Sequence, residues 1–280
     1  MAALKNLVTA AVQDLVSSKK NSISSNKCVT AVLIGETGSG KSSLINLFYF
    51  WCLESTGKNP KFEDAKIHNI IKSENETGGS QAGSQTLKPQ QYKFELNFNG
   101  ENYLFTLLDT PGMGDVKGLK TDDENILSIL QFVEQTPSVN AIVLMLNGSN
   151  ARVSSRTSYI LQRLYGLCPK TFQNNLYLIF SNTQMEPNFD INQIRVPIKK
   201  DNVIPIDNLL YSPAGFQYAE KTLLQKRKIE SNYKENKEIL SMLFDQWVKG
   251  GSLLPKAYKD LRENRDTLRV KFKFKMKNKN

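Results

Sequence analysis

Four stretches of this chain are apolar at nearly every position: Val29 to Ile34, Ala141 to Leu146, Leu176 to Phe180, and the short run Val203 to Ile206. Runs of that length read as buried strands. A different rhythm begins at Tyr92, where apolar and polar residues alternate through Phe98, and an apolar-rich run from Tyr103 to Leu108 follows. Asn99-Gly100 lies between these two, and an Asn-Gly pair between β-patterned runs is the strongest short signal for a hairpin. Leu44-Ile45-Asn46-Leu47-Phe48, shortly after the first run, reads as a helix. Near the N-terminus, Leu4, Leu7, Val8, Ala11, Val12, Leu15 and Val16 recur at three-four spacing, predicting an amphipathic helix followed by a polar linker, Ser17 to Lys27. Beyond Pro213 the pattern predicts charged helices over 219–249 and 255–265, broken at Gly250-Gly251. Leu223, Leu224, Ile229, Tyr233, Ile239, Leu240, Leu243 and Trp247 form an intermittent stripe there. The fold class expected is α/β with three layers, a mostly parallel sheet with one antiparallel hairpin strand, and helical extensions. The expected division is 1–27 for helix and linker, 28–212 for the main domain, and 213–280 for the charged extension with its basic tail.

The first strand and first helix are joined by Gly35-Glu36-Thr37-Gly38-Ser39-Gly40-Lys41-Ser42. Strand, Gly-rich loop and helix start are the context in which G-x-x-x-x-G-K-[ST] becomes a phosphate cradle. The glycines allow backbone N–H groups to turn inward at phosphate oxygens, through angles a side chain would block. Lys41 can place its ammonium on the outer phosphates, the Ser42 hydroxyl can ligate Mg²⁺, and the helix N-terminus adds the positive end of its dipole. This predicts nucleoside triphosphate binding. The second hairpin strand runs into Asp109-Thr110-Pro111-Gly112-Met113-Gly114-Asp115. An acid at the carboxyl end of a buried strand reaches the same sheet edge as the Gly-rich loop, where Asp109 can hold Mg²⁺ through water and the Gly112 N–H can meet a γ-phosphate.

These motifs resemble those of the TRAFAC-class GTPases, and within them the septin, immune-associated (GIMAP-like) and chloroplast-import-receptor branch. The residues that carry the resemblance are Gly35–Ser43, Ser84-Gln85-Thr86 and the 109–115 motif, whose D-T-P-G-x-G-D form is especially septin-like; the similarity spans about 28–212. It implies a P-loop NTPase G domain that binds GTP/GDP with Mg²⁺, a nucleotide-controlled switch, and homodimers or homo-oligomers as partners. Carried onto this chain, it implies Lys41, Thr86 and Gly112 as catalytic groups and Ser42, Thr86 and Asp109 as the Mg²⁺ set. Thr86, or failing it Thr77, is the candidate switch threonine within the polar stretch Glu54 to Lys88, whose composition cannot hold one shape unaided.

Two departures from the pattern matter. Guanine selection in GTPases usually rests on N-K-x-D after a strand. Here Asn182 fits the first position, but Thr183 and Met185 replace the lysine and aspartate. Asp207, in the loop after Val203–Ile206, is a candidate base-side carboxylate, with an ordinary turn residue as the alternative. The second departure is Met113, where many small GTPases carry the water-orienting glutamine; an apolar side chain cannot orient water by hydrogen bonding. The resemblance then implies slow hydrolysis, or help from a partner subunit. Arg152 and Arg156 are candidates for an arginine supplied across an interface, with surface ion pairs or a hold on a neighbouring loop as the commoner role of such residues. Three functions follow: a GTP-hydrolysing switch, a nucleotide-dependent assembly scaffold with negligible turnover, and an ATPase.

Composition bounds the rest. The 280 residues are 40% hydrophobic, ample for a core, and no apolar run approaches the ~20 residues that span a bilayer. No signal-peptide layout begins the chain, and Cys28, Cys52 and Cys168 are an odd, scattered set, a cytosolic pattern without a disulfide framework. A lone histidine, His68, leaves little for a catalytic triad or a zinc site. Net charge is +10, and 261–280 supply +6 of it. That tail reads as a solvated basic segment, an edge strand or a weak contact for anionic membranes; no recognition module accompanies it, which argues against nucleic acid.

Overall fold

Each apolar run becomes a strand, and the two rhythms become two kinds of strand. The computed structural model describes residues 27–66, 89–113, 126, 128–129, 131–167, 174–212 and 218–255. Within them lie β1 (Lys27–Gly35), α1 (Lys41–Ser55), β2 (Gln90–Phe98), β3 (Glu101–Asp109), β4 (Ala141–Asn147), α2 (Ser155–Leu167), β5 (Leu176–Ser181), β6 (Val203–Ile206) and α3 (Leu223–Lys249). The helix predicted near the N-terminus, the stretch holding His68, Thr77 and Thr86, the helix predicted over 255–265 beyond Pro255, and the basic tail lie outside the described residues.

The strands form one six-stranded sheet in the order β2-β3-β1-β4-β5-β6. β3, β1, β4, β5 and β6 run parallel, and β2 joins the edge antiparallel to β3. This is the sheet the sequence predicts. Asn99 and Gly100 both have positive φ, 52° and 80°, and close the β2–β3 turn with Phe98 opposite Glu101. Two consecutive positive-φ residues match the right-handed twist of the flanking strands, the reason for the Asn-Gly preference.

Alternate residues of each central strand feed two separate cores. Val29, Ala31 and Leu33 point to one face with Val143, Met145 and Ile179; Val32 and Ile34 point to the other with Ile142, Leu144 and Leu178. Both faces are covered, so these strands have no polar side and their sequence reads as continuous apolar runs. On the first face lies α1, buried around most of its circumference through Leu44, Ile45, Leu47, Phe48, Phe50 and Trp51.

The same face holds α3, which the sequence set in a separate charged extension. Ile229, Tyr233, Leu240, Leu243, Phe244 and Trp247 are part of the first core, and the Trp247 ring sits 5.6 Å from Phe48 and 6.0 Å from both Phe105 and Tyr177. Leu223 and Leu224, read as part of its apolar stripe, are instead 67% and 78% exposed at the first turn. Thr222 and Gln225 close a reciprocal capping box there, so hydrogen bonding rather than burial starts the helix. After α3, Leu253 exchanges two backbone hydrogen bonds with Val139, tying the chain back to the start of β4.

Candidate functional site

The carboxyl ends of β1, β3, β4, β5 and β6 share one edge, where open α/β sheets place ligands. β1 ends at Gly35, whose backbone runs so close to β4 that an added Cβ would lie 2.4 Å from the Met145 carbonyl oxygen and 2.7 Å from Ser39 Oγ. Gly38 and Gly40 have φ of 77° and 88°, the left-handed region that side chains avoid. Across the loop, a Cβ on Gly40 would come within 3.2 Å of Ser181 Cβ, at the end of β5. The glycine spacing is therefore enforced by neighbouring strands as well as by φ.

The loop leads straight into α1. Leu44 N–H makes an early helical bond, to the Gly40 carbonyl at 2.9 Å. The N–H groups of the first helical residues have no carbonyl one turn earlier, so they face the loop's concavity as donors. Lys41 is only 7% exposed, and its Nζ donates to the carbonyls of Gly35 and Glu36 at 3.1 Å each. Thr37 Oγ1 and Ser39 Oγ are buried hydroxyls with no hydrogen-bond partner among the described residues. A concavity lined by backbone donors, one lysine and two buried hydroxyls suits a polyphosphate; aliphatic or cationic groups would leave these donors unmet. Ser42 is exposed beside it.

The Asp109 motif is stitched to this loop. Asp109, 1% exposed, pairs with Leu33 in the sheet, and Thr110 Oγ1 donates to the Leu33 carbonyl at 2.8 Å. Met113 N–H donates to the Gly35 carbonyl and the Met113 carbonyl accepts from Thr37 N–H, each at 3.1 Å. Gly112 is thus held beside the phosphate loop by its neighbour's main chain. The Met113 side chain is 2% exposed and packs in the second core with Val32, Ile34 and Leu108. Glu36 turns the other way, where its carboxylate accepts from the Thr157 hydroxyl of α2. Burial raises the Glu36 carboxyl above its ordinary range, only partly opposed by the nearby Lys41 charge.

On the far side, β5 and β6 end beside the start of α1 and leave a cleft of about 190 Å³, lined among others by Gly40, Ser43, Ser181, Asn182, Asn208 and Tyr211. Asn182 has φ 56° and donates through Nδ2 to Asn147 Oδ1 at 3.1 Å. Met185 is 82% exposed and Asp207 is not among the lining residues; the Asp207 carboxylate lies 3.4 Å from Gln184 Nε2. The structure therefore brings together Gly35, Glu36, Thr37, Gly38, Ser39, Gly40, Lys41, Ser42, Ser43, Asp109 and Gly112, with Asn182 across the cleft and Asp207 next to its lining residue Asn208. Thr86 lies outside the described residues, as do Gly114, Asp115 and the Arg156 side chain. Arg152 is exposed, two residues before Ser154, whose hydroxyl contacts Thr157. Ser181, Asn208 and Tyr211 carry no motif; Asn208 was legible only as a polar residue after a short strand.

No family model matches the chain. It is similar to Protein peanut of Drosophila melanogaster, 28% identical over 145 residues, which is 50% of this chain and 23% of the length of that protein. Among solved structures, Toc33 from Arabidopsis thaliana in complex with GDP and Mg²⁺ aligns at 13% identity over 70% of this chain and 75% of that one, with a TM-score of 0.41. A GTP-binding protein from the hyperthermophilic archaeon Sulfolobus solfataricus in complex with GDP aligns at 16% identity, covering 82% and 58%, with a TM-score of 0.36. Strand order, the Gly-rich loop and the match to Protein peanut agree with the motifs at 35–43 and 109–115: the chain has an α/β P-loop fold and is similar, over half its length, to Protein peanut.

Proposed function

We propose that this domain binds GTP and GDP with Mg²⁺ and acts as a GTPase switch with slow intrinsic hydrolysis that self-association accelerates. What supports the reading is the loop Gly35–Ser42, with left-handed backbone at Gly38 and Gly40, no room for a Cβ at Gly35 against β4, and a buried lysine inside it. Lys41 moves from the Gly35 and Glu36 carbonyls to phosphate oxygens, exchanging neutral acceptors for charged ones. Ser42 and Asp109 would hold Mg²⁺, with Thr86 as the proposed third group. The ion, when bound, neutralises charge shared by the outer phosphates. The Gly112 N–H, kept at the loop by the Met113 main chain, is placed to report the third phosphate. Asn182 and Asp207 flank the proposed base side.

Met113 sets the rate in this reading. Its side chain is committed to the core, so no group at this position orients the attacking water. An exposed arginine in the segment after β4, Arg152, fits the task of stabilising transferred charge in a second copy. Titrating nucleotide-free protein with fluorescent GTP, GDP and ATP should show guanine preference. Equal or tighter ATP binding would replace this reading with an adenine-nucleotide one.

The same burial of Met113 favours a second reading, a scaffold whose assembly needs GTP but whose turnover is negligible. A dilution series separates the two. The switch reading expects the hydrolysis rate per molecule to rise with protein concentration, whereas a rate near zero throughout, with nucleotide-dependent association, would support the scaffold.

A further inference from the structure

The loop after β6 is held from two sides by three asparagines, residue by residue. Asn208 faces α1: its Nδ2 donates to the Ser43 carbonyl at 3.0 Å and to Ser43 Oγ at 2.9 Å, while its Oδ1 accepts from Tyr211 N–H at 3.3 Å. Ser43 Oγ donates in turn to the Tyr211 carbonyl at 3.1 Å, closing a ring of hydrogen bonds between helix and loop. The residues on either side of Asn208 face α3. Asn236 Nδ2 donates to the Asp207 carbonyl at 2.9 Å, and Asn232 Oδ1 accepts from Leu209 N–H at 2.9 Å. Asn236 Nδ2 also reaches Asn232 Oδ1 at 3.2 Å, so the α3 pair is itself coupled. Asn232 and Asn236 are 4% and 2% exposed, and every bond described goes to the loop or within the pair.

This arrangement has a geometric consequence. Ser43 belongs to the first turn of α1, immediately after the phosphate loop, whereas Asn208 follows the strand that borders the other side of the cleft. Both residues line the cleft, and the Asn208–Ser43 bonds join its two sides directly. We infer that Asn208, held by the Asn232–Asn236 pair of α3, is a positioning residue that fixes the nucleoside half of the site relative to the phosphate half. The inference rests on the nucleotide reading above and adds the device that sets the distance between its two halves. It also makes the geometry of the site depend on α3, a helix that contributes no residue to the cleft lining.

The test compares Asn208→Asp with the wild-type chain. Aspartate keeps an acceptor for Tyr211 N–H and removes the donors to Ser43. GDP affinity should fall about tenfold, the scale of two lost hydrogen bonds, with most of the change in the dissociation rate. Affinity for inorganic tripolyphosphate with Mg²⁺, which uses the phosphate half alone, should stay within about twofold. Unchanged GDP affinity would overturn the inference, as would an equal loss for GDP and tripolyphosphate, which marks a general loosening of the domain. Should Asn208→Asp fail to fold, Ser43→Ala takes its place, because it removes the ring's central hydroxyl. The same two ligands are then titrated: a loss confined to GDP supports the inference, and no loss or an equal loss overturns it. A wild-type chain that binds tripolyphosphate but not GDP or GTP overturns the nucleotide reading itself, before any variant is compared.

Discussion

Replacing Lys41 with alanine should lower GTP affinity at least about a hundredfold while the ligand-free protein stays folded, its unfolding midpoint lowered only by the two bonds that Nζ gives up. Hydrogen bonds to charged groups contribute about 1.5–3 kcal/mol each, and an ammonium among phosphates makes more than one. Against that stand the two bonds Nζ already makes to Gly35 and Glu36, which binding must break. Neutral carbonyl acceptors return about 0.5–1.5 kcal/mol each, so a net loss near 3 kcal/mol remains, roughly a hundredfold. Burial strengthens the argument, because at 7% exposure little water competes with the ammonium for its partners. Titration with fluorescent GTP, paired with a thermal melt, checks both halves. Near-wild-type affinity in the variant would mean that the loop is not the phosphate site.

Trp247→Ala is expected to destabilise the whole domain by about 3–5 kcal/mol, the range for truncating a buried aromatic. A domain of ordinary stability has only about 5–15 kcal/mol in hand, so the variant should lose a large part of it. Trp247 is 0% exposed and touches rings from α1, β3 and β5 at once. Its loss therefore opens a cavity where helix and sheet meet rather than fraying a terminal helix. Trp247→Phe makes a useful control. The indole Nε1 has no hydrogen-bond partner among the described residues, so phenylalanine removes a costly buried donor along with some volume and should cost less. Denaturant unfolding measures both. A shift under about 1 kcal/mol for Trp247→Ala would mean that α3 is a detachable appendage after all.

The parts of the site that were legible in advance are those whose chemistry is local. Gly38 and Gly40 sit in the left-handed region because the loop requires it, and the same holds for Asn99 and Gly100 in the hairpin. Such requirements act within a few residues, so they leave a fixed spacing in the chain. Asp109 was legible for a related reason, since it follows directly from a strand whose end must reach the sheet edge. The asparagines of α3 were not. Asn232 and Asn236 continue the three-four spacing of Ile229, Tyr233 and Leu240, but as polar residues on a lysine-rich helix they read as solvent-facing. Only the loop carbonyl and N–H they satisfy, at Asp207 and Leu209, give two amides a reason to be buried.

Met113 shows the same division within one residue. Its apolar side chain already argued, from the sequence, against a water-orienting role at that position. That its main chain ties the Asp109 motif to Gly35 and Thr37, and that its side chain fills the second core, depended on β3 and β1 being neighbours. The sequence by itself determined the strands, the hairpin turn and the phosphate loop, because hydrophobic period and backbone sterics act over short chain distances. The tertiary structure alone decided that α3 belongs to the core, that Asn208 grips Ser43, and which residues face each other across the cleft. Asn208 and Ser43 stand 165 positions apart, and the energy of such a contact depends on burial that no local stretch of sequence contains.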